Sequence, residues 1–326
     1  MRFCSGNPMP KPRSFVPRRL RTYSLRSRIS KVHLDDFAKP WTPGCSFLDF
    51  LDRLPAILAV PEFNAVVDAV VKARRSGRLV VVGIGAHVIK VGLSPVLIDL
   101  MERGIVGAIA MNGAGIIHDF ELAFAGHTSE DVAAGIGKGA FGMARETGEM
   151  LNRAIRLGVR KGWGIGRSVG EMIERKRLPH RGCSLLATAA RFRVPATVHV
   201  AIGTDIIHMH PAMDGAATGE ATLTDFRLLT DVVCRLDRGV YLNIGSAVIL
   251  PEVFLKALTL ARNRGRRVER LTTVNMDFIQ HYRPVTNVVR RPTQNTGRGI
   301  TLTGHHEIMV PLLAAAVLER LGKRFS

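Results

Sequence analysis

The sequence predicts an α/β fold: a doubly wound, mostly parallel sheet flanked by helices. Three observations lead there. From residue 78 onward, short apolar runs alternate with longer stretches of helical periodicity. The short runs are apolar throughout, as strands buried on both faces must be, where a half-exposed strand would alternate. Glycine with a polar neighbour follows nearly every run, at the edge where open parallel sheets bind their ligands.

Residues 1–31 hold nine Lys and Arg and no Asp or Glu, and read as a basic, disordered arm. They contain no apolar stretch of the kind a secretory signal needs. A transit-type leader, a disordered tail and a misplaced start codon fit alike. Residues 32–326 read as a single domain. In "CSFLDFLDRLPAILAVPEFNAVVDAVVKARRSG" apolar residues recur at three- and four-residue steps, which predicts helix, with Gly77 as its stop. "RLVVVG" is the first strand. "SPVLIDLMERG" is a helix with Ser94 as N-cap, Pro95 in the first turn and Gly104 beyond its end. "IVGAIAMN" is the second strand.

The stretch from residue 126 to 193 is helical but rich in glycine, and is expected to serve as a lid or an oligomer contact. "ATVHVA" is a strand after Pro195. "LTDFRLLTDVVCRL" is a helix with Thr224 or Asp225 near its start. "GVYLNIG" is a strand, "PEVFLKALTLARNRG" a helix with Pro251 in its first turn, "RLTTVN" and "GITLTG" strands, and "EIMVPLLAAAVLERLG" the closing helix.

The net charge is +19, from 46 Lys and Arg against 27 Asp and Glu, and about half of the excess falls in residues 1–31. The basic clusters at residues 153–177 and 262–270 are expected to be solvated helix faces, so no specific nucleic-acid partner is implied. The four cysteines form no Cys-x-x-Cys pair, and no segment reaches about 18 consecutive apolar residues. Both features suit a cytoplasmic protein that neither crosses a membrane nor relies on disulfides.

The candidate site lies beyond the strand ends: Gly85, Ala86 and His87; Asn112, Gly113 and Ala114, followed by His118 and Asp119; Asp205 with His208 and His210; Asn243, Gly245 and Ser246; Asn275, Met276 and Asp277; and His305, His306 and Glu307. Glycine there frees backbone amides to approach a phosphate or ribose. "GIGAHV" departs from Gly-x-Gly-x-x-Gly at Val88. "GKGAFG" matches formally but follows no strand, and is expected to lie within helix. His118 is a candidate proton acceptor. Asp119 beside it either shares in that chemistry or caps a helix and orients the histidine. His208 and His210, with His118, Asp119, His305, His306 and Glu307, also offer ligands for a metal-dependent hydrolase.

"MNGAGIIHDF", "VVVGIGAHVIKVGLSPVLIDLMERGIV", "VYLNIGSAVI" and "GITLTGHHEIMVPLLAAAVLE" together resemble the deoxyhypusine synthase-like family, in order, over residues 32–321. The resemblance implies a Rossmann-like homotetramer that binds NAD, oxidises a polyamine and transfers an aminobutyl group, through a lysine imine, to a protein lysine or a second amine. It places the cofactor among Gly85, Ala86, His87, Asn112, Gly113, Ala114, Asp205, Gly245, Ser246, Asn275 and Met276, with catalytic His118 and Asp119 alongside. The stretch "MDFIQHYRPVTNVVRRPTQNTGRG" departs from the family: it has no lysine, and by length puts Arg290, Arg291 or Pro292 at the lysine's place. Arginine stays protonated and does not form imines. The resemblance therefore implies an NAD-linked enzyme with altered chemistry on an amine, or a binding or assembly protein that keeps only the fold.

Overall fold

The computed structural model describes residues 20–322. Six strands form one sheet: β1 Val80–Ile84, β2 Ala108–Asn112, β3 Ala196–His199, β4 Val240–Ile244, β5 Thr272–Asp277 and β6 Arg298–Thr303. All neighbours are parallel, in the order β3-β2-β1-β4-β5-β6. Each of the six expected strands is present, and the sheet is parallel throughout. The fold is Rossmann-like.

Burial explains the strand sequences. β1 and β4 are buried at every position, so both faces call for apolar or small residues. β6 is an edge strand and does alternate: Ile300 and Leu302 are buried while Arg298, Thr301 and Thr303 are exposed.

The helices are α1 Phe47–Arg53, α2 Ala59–Arg75, α3 Ala86–Lys90, α4 Ser94–Glu102, α5 Gly113–Ala125, α6 Val132–Ile136, α7 Arg145–Val159, α8 Ile165–Arg175, α9 Leu185–Phe192, α10 Gly215–Val233 and α11 Ile249–Asn263. A composite segment follows, in which α12 Tyr282–Pro284 continues as a π-helix over Val285–Arg290 and ends as α13 Arg291–Thr293. α14 His306–Leu321 closes the described chain. One sheet face packs Val80, Val82, Ile84, Val274 and Ile300 against α2, α4 and α14. The other packs Val81, Ala108, Ala110 and Tyr241 against α10 and α11.

Several helix boundaries differ from expectation, each for a local reason. The first helical segment splits into α1 and α2 around Pro55 and a left-handed Leu58, φ 57°. α4 begins at Ser94 itself, with Leu93 as its cap. α10 begins at Gly215, where Asp214 accepts the Ala217 amide, so Thr224 and Asp225 lie mid-helix. "GKGAFG" is not helical. It turns between α6 and α7 through left-handed Gly139 and Gly142, and the Gly142 amide donates to Glu130 Oε1 at 2.8 Å. Most of the basic arm expected over residues 1–31 lies outside the described residues; residues 20–31 are largely exposed. Among the described residues no helix is long and apolar enough to cross a membrane, and Cys45, Cys183 and Cys234 are free thiols.

Candidate functional site

The strand order reverses between β1 and β4, and the loops at that point are tied by backbone bonds. Gly85 N donates to Ile244 O at 2.9 Å, Gly245 N to Met276 O at 3.1 Å, and Gly304 N to Asp277 O at 3.2 Å. Glycine is required here. A Cβ on Gly85 would lie 2.0 Å from Gly245 O, and Gly245 itself has φ +66°. The sheet's own closure thus uses both residues. Ser246 and Asn275 are joined through Asn243, whose Nδ2 donates to Ser246 O at 2.9 Å and to Asn275 Oδ1 at 2.7 Å. Met276 points into the core, and its backbone oxygen is what reaches this edge.

A ring of aromatic side chains surrounds these loops. The His87 ring lies 6.0 Å from that of His306 and 6.5 Å from that of Phe278, and Phe278 stacks on His305 at 6.1 Å. His306 is 1% exposed, and neither ring nitrogen has a hydrogen-bond partner among the described protein atoms. Its Nε2 lies 3.5 Å from Asp277 Oδ1. Burial lowers the proton affinity of His306, while Asp277 acts against that shift.

A second group forms where β2 runs directly into α5. Asn112 is the N-cap, yet its side chain caps nothing, and its Oδ1 is a buried acceptor without a protein donor. Ala114 follows in the first turn, half-buried. A Cβ on Gly113 would lie 2.0 Å from Asp205 Oδ2, so the glycine lets that carboxylate press against the helix start. Burial raises the Asp205 carboxyl, opposed by His208 and Thr204.

His118 and Asp119 part company on α5. Their Cα positions are about 100° apart around the helix. His118 Nδ1 lies 2.7 Å from Thr128 Oγ1, and Thr128 donates to Glu121 Oε2 at 2.5 Å. Thr147 donates to Glu121 Oε1 at 3.0 Å. A hydroxyl has one proton to give. Thr128 gives it to Glu121, so it accepts from His118 Nδ1–H, and the neutral ring carries its lone pair on Nε2. Burial lowers the proton affinity of His118; Glu121 opposes this and the Lys90 charge reinforces it.

Asp119 lies mid-helix, away from the α5 N-terminus expected to hold it, and is fully buried. It accepts from Ser184 Oγ at 2.6 Å, Leu185 N at 2.7 Å and Leu186 N at 3.2 Å, and so serves the N-terminus of α9. Burial pushes its carboxyl up to about 6, against those three bonds.

The histidines of the hydrolase reading do not converge. His208 Nδ1 accepts from the Gly203 and Asp205 amides, both at 3.2 Å. His210 accepts from Ala212 N at 3.1 Å and lies over Gly148 of α7. Among the described residues, no three His, Cys, Asp or Glu side chains form a group able to hold a metal. The lysine-free stretch brings a further correction. Pro292 O accepts from Arg262, and Val289 O abuts Gly299 near the start of β6. Arg290, Arg291 and Pro292 therefore sit toward the opposite edge of the sheet.

Sequence reasoning missed the roles of four residues. Glu121, one turn beyond His118 on the same helix, carried a spacing signal; Thr128, in the loop beyond, carried none. Asp225 is buried at mid-helix, its Oδ2 accepting from Gly166 N at 3.0 Å and Val198 N at 2.9 Å, and burial pushes it up to about 7. His199, closing β3, is pushed down to about 4 by burial.

No protein-family model matches the chain, and no curated protein sequence matches it. Solved structures do. An arginine dihydrolase, ArgZ, from cyanobacteria superimposes with a TM-score of 0.51 at 15% identity, over 80% of this chain and 31% of that one. A LOR/SDH protein from Methanococcus maripaludis S2 gives 0.50 at 14% identity, over 81% of this chain and 71% of that one. A protein assigned as a deoxyhypusine synthase from Entamoeba histolytica aligns over 86% of this chain and 95% of its own, at 10% identity and a TM-score of 0.47. This chain thus spans about a third of the length of ArgZ. These likenesses show the fold.

Proposed function

We propose that the protein is an NAD-binding enzyme that oxidises a small amine, with His118 as the proton acceptor. The observation that carries this reading is the Glu121–Thr128–His118 chain, which keeps Nδ1 protonated and Nε2 free to accept. The bond made by one ring nitrogen decides which proton the other can take, and here it leaves Nε2 as the acceptor.

The residues present fit a dinucleotide. Sheets of this strand order place an acceptor for a ribose hydroxyl at the end of their second strand. Asn112 stands there with a buried, unpartnered Oδ1. The uncapped first turn of α5 offers the amides of Gly113 and Ala114 to a phosphate. Ala86 and His87, Gly245 and Ser246, and Asn275 form the remaining wall, with Asp205 at one end. When bound, NAD supplies the hydride acceptor. His118 Nε2 takes the proton released from the amine nitrogen, and Asp205 and Asp277 offset the amine's positive charge. Asp119 positions α5 against α9. Further copies of this chain and, for group transfer, a protein lysine are the partners implied by the resemblance.

Calorimetric titration of NAD at low and at high salt tests the reading. Saturable binding that persists at high salt, lost in Asn112→Leu, is expected, with amine-dependent formation of reduced cofactor abolished in His118→Gln. Absence of NAD binding would refute it. The missing lysine favours a second reading, a binding protein on the same fold; NAD binding with no turnover of any polyamine or diamine would be its signature.

A further inference from the structure

The amino-terminal edge of the sheet, opposite the site above, gathers basic side chains around a cleft. Lys72, Arg78, Arg238, Arg270 and Arg298 line a cleft of about 550 Å³ where β4, β5 and β6 begin. Among the described residues, Lys72, Arg78 and Arg270 have no ion pair or side-chain hydrogen bond. Arg298 pairs with Glu62 at 3.0 Å and Arg238 reaches Asp237 at 3.8 Å. The carboxylate in the wall, Asp68, is held by Arg320. Positive charge is thus left uncompensated around a concave space.

The backbone fixes how these arginines reach the cleft. The chain enters β1 and β6 through left-handed Gly77 (φ 62°) and Gly297 (φ 98°), each followed directly by an arginine, Arg78 and Arg298. It enters β4 and β5 through left-handed residues too, but these are Arg238 (φ 57°) and Arg270 (φ 51°). A side chain is strained in that conformation, and glycine avoids the strain. Helix dipoles do not explain these two arginines: α10 ends at Val233 and α11 at Asn263, and the dipole's reach fades within the last turn. Left-handed arginines also occur away from the cleft, at Arg177 and Arg193, so what points to a ligand is the gathering of Arg238 and Arg270 with three further cations around one concave space.

We propose that this cleft binds a small molecule that ends in two or more linked phosphoryl groups, which the internal pyrophosphate of NAD does not offer, with Arg78, Arg238 and Arg270 as its principal contacts. Guanidinium groups match phosphate oxygens two at a time, and the volume falls in the range of small-molecule sites. A long nucleic acid would ask for an extended groove, and this space is bounded by α2 and the strand starts.

The test is calorimetric titration with inorganic tripolyphosphate, at constant ionic strength, with saturating NAD present so that any dinucleotide site is occupied. One saturable site is expected. In the double variant Arg238→Gly and Arg270→Gly, affinity should fall at least tenfold while the melting temperature stays level or rises, because glycine relieves both left-handed positions. Arg78→Gln, which leaves the backbone unchanged, should also weaken binding. Unchanged binding in these variants would overturn the proposal, as would no saturable binding, or binding seen only when NAD is left out. Retention of a single-stranded oligonucleotide that tripolyphosphate does not displace would overturn it in favour of a nucleic-acid surface.

Discussion

Removal of the Asp119 carboxylate gives the sharpest test of how α5 and α9 are held. In Asp119→Ala, Ser184 Oγ and the Leu185 and Leu186 amides lose their acceptor inside the protein. Each buried donor left unmade costs about 1–3 kcal/mol. Part of that is recovered by relaxation, so a loss of about 3–5 kcal/mol is expected, a large share of a typical domain's stability. Asp119→Asn isolates the charge. The native carboxyl titrates near 6 against 3.8 when solvated, so between those values the folded state holds a proton that the unfolded state has released. Stability therefore falls as pH rises through this window, by about 3 kcal/mol at ~1.4 kcal/mol per tenfold change in proton affinity. Asn has no proton to lose there. Urea unfolding of the native protein and Asp119→Asn between pH 3.5 and 7.5 should give curves that converge in shape once this contribution is subtracted; Asp225, pushed up to about 7, contributes the same sign in both. Identical pH slopes in the two proteins would refute the burial argument. A loss under about 1 kcal/mol in Asp119→Ala would refute the capping argument.

Further predictions follow from the same geometry. Thr128→Val should cut amine oxidation about 10- to 100-fold by freeing the His118 tautomer, with little change in NAD affinity; NMR of the imidazole nitrogens should show Nδ1–H no longer dominant, and an unchanged tautomer would sink the relay. Lys90→Met removes a charge that lowers the His118 proton affinity. The histidine's titration and the acid limb of the activity profile should both move to higher pH, and a downward shift would contradict the assignment. Gly85→Ala should cost about 3 kcal/mol, because backbone Gly245 O stands 2.0 Å from the new methyl; a variant melting within a degree of the native protein would show that the β1–β4 closure yields easily. Tyr241→Phe removes a buried hydroxyl that has no protein partner, and chemical denaturation should show a gain of up to about 1 kcal/mol. A loss of similar size would mean that the hydroxyl is bonded through buried water.

The strands were legible because parallel sheets demand local, uninterrupted apolarity, and runs such as "VVVG" and "AIAMN" satisfy it within five residues. Helix starts were less legible because caps compete. Thr224 and Asp225 are capping types, but Asp214 is the residue that takes the Ala217 amide, and Asp225 reaches across to Gly166 and Val198. Among site residues, Gly85 and Gly245 showed in the sequence as glycines at strand ends; that each is needed by the other did not, since β1 and β4 are half a chain apart. His118 stood out by its place after β2. Its partners come from α5 and from the loop beyond it, and only folding reveals that Asp119 faces α9 while His118 faces Thr128.

The strand order has a consequence for assembly of the chain itself. β3, β2 and β1 come from the first two-thirds of the described sequence and β4, β5 and β6 from the remainder; between the two half-sheets the sole shared ladder is the five-residue β1–β4 seam from Val80 and Val240 to Ile84 and Ile244. The ladder at the centre of the molecule is thus its most distant in sequence, and closing it costs the most chain entropy. On chain entropy alone, each half is expected to complete its own ladders before the seam closes. A backbone cut in the exposed turn at residues 202–204 would leave two complementary fragments, each with three adjacent strands and an unpaired seam edge seeking the other.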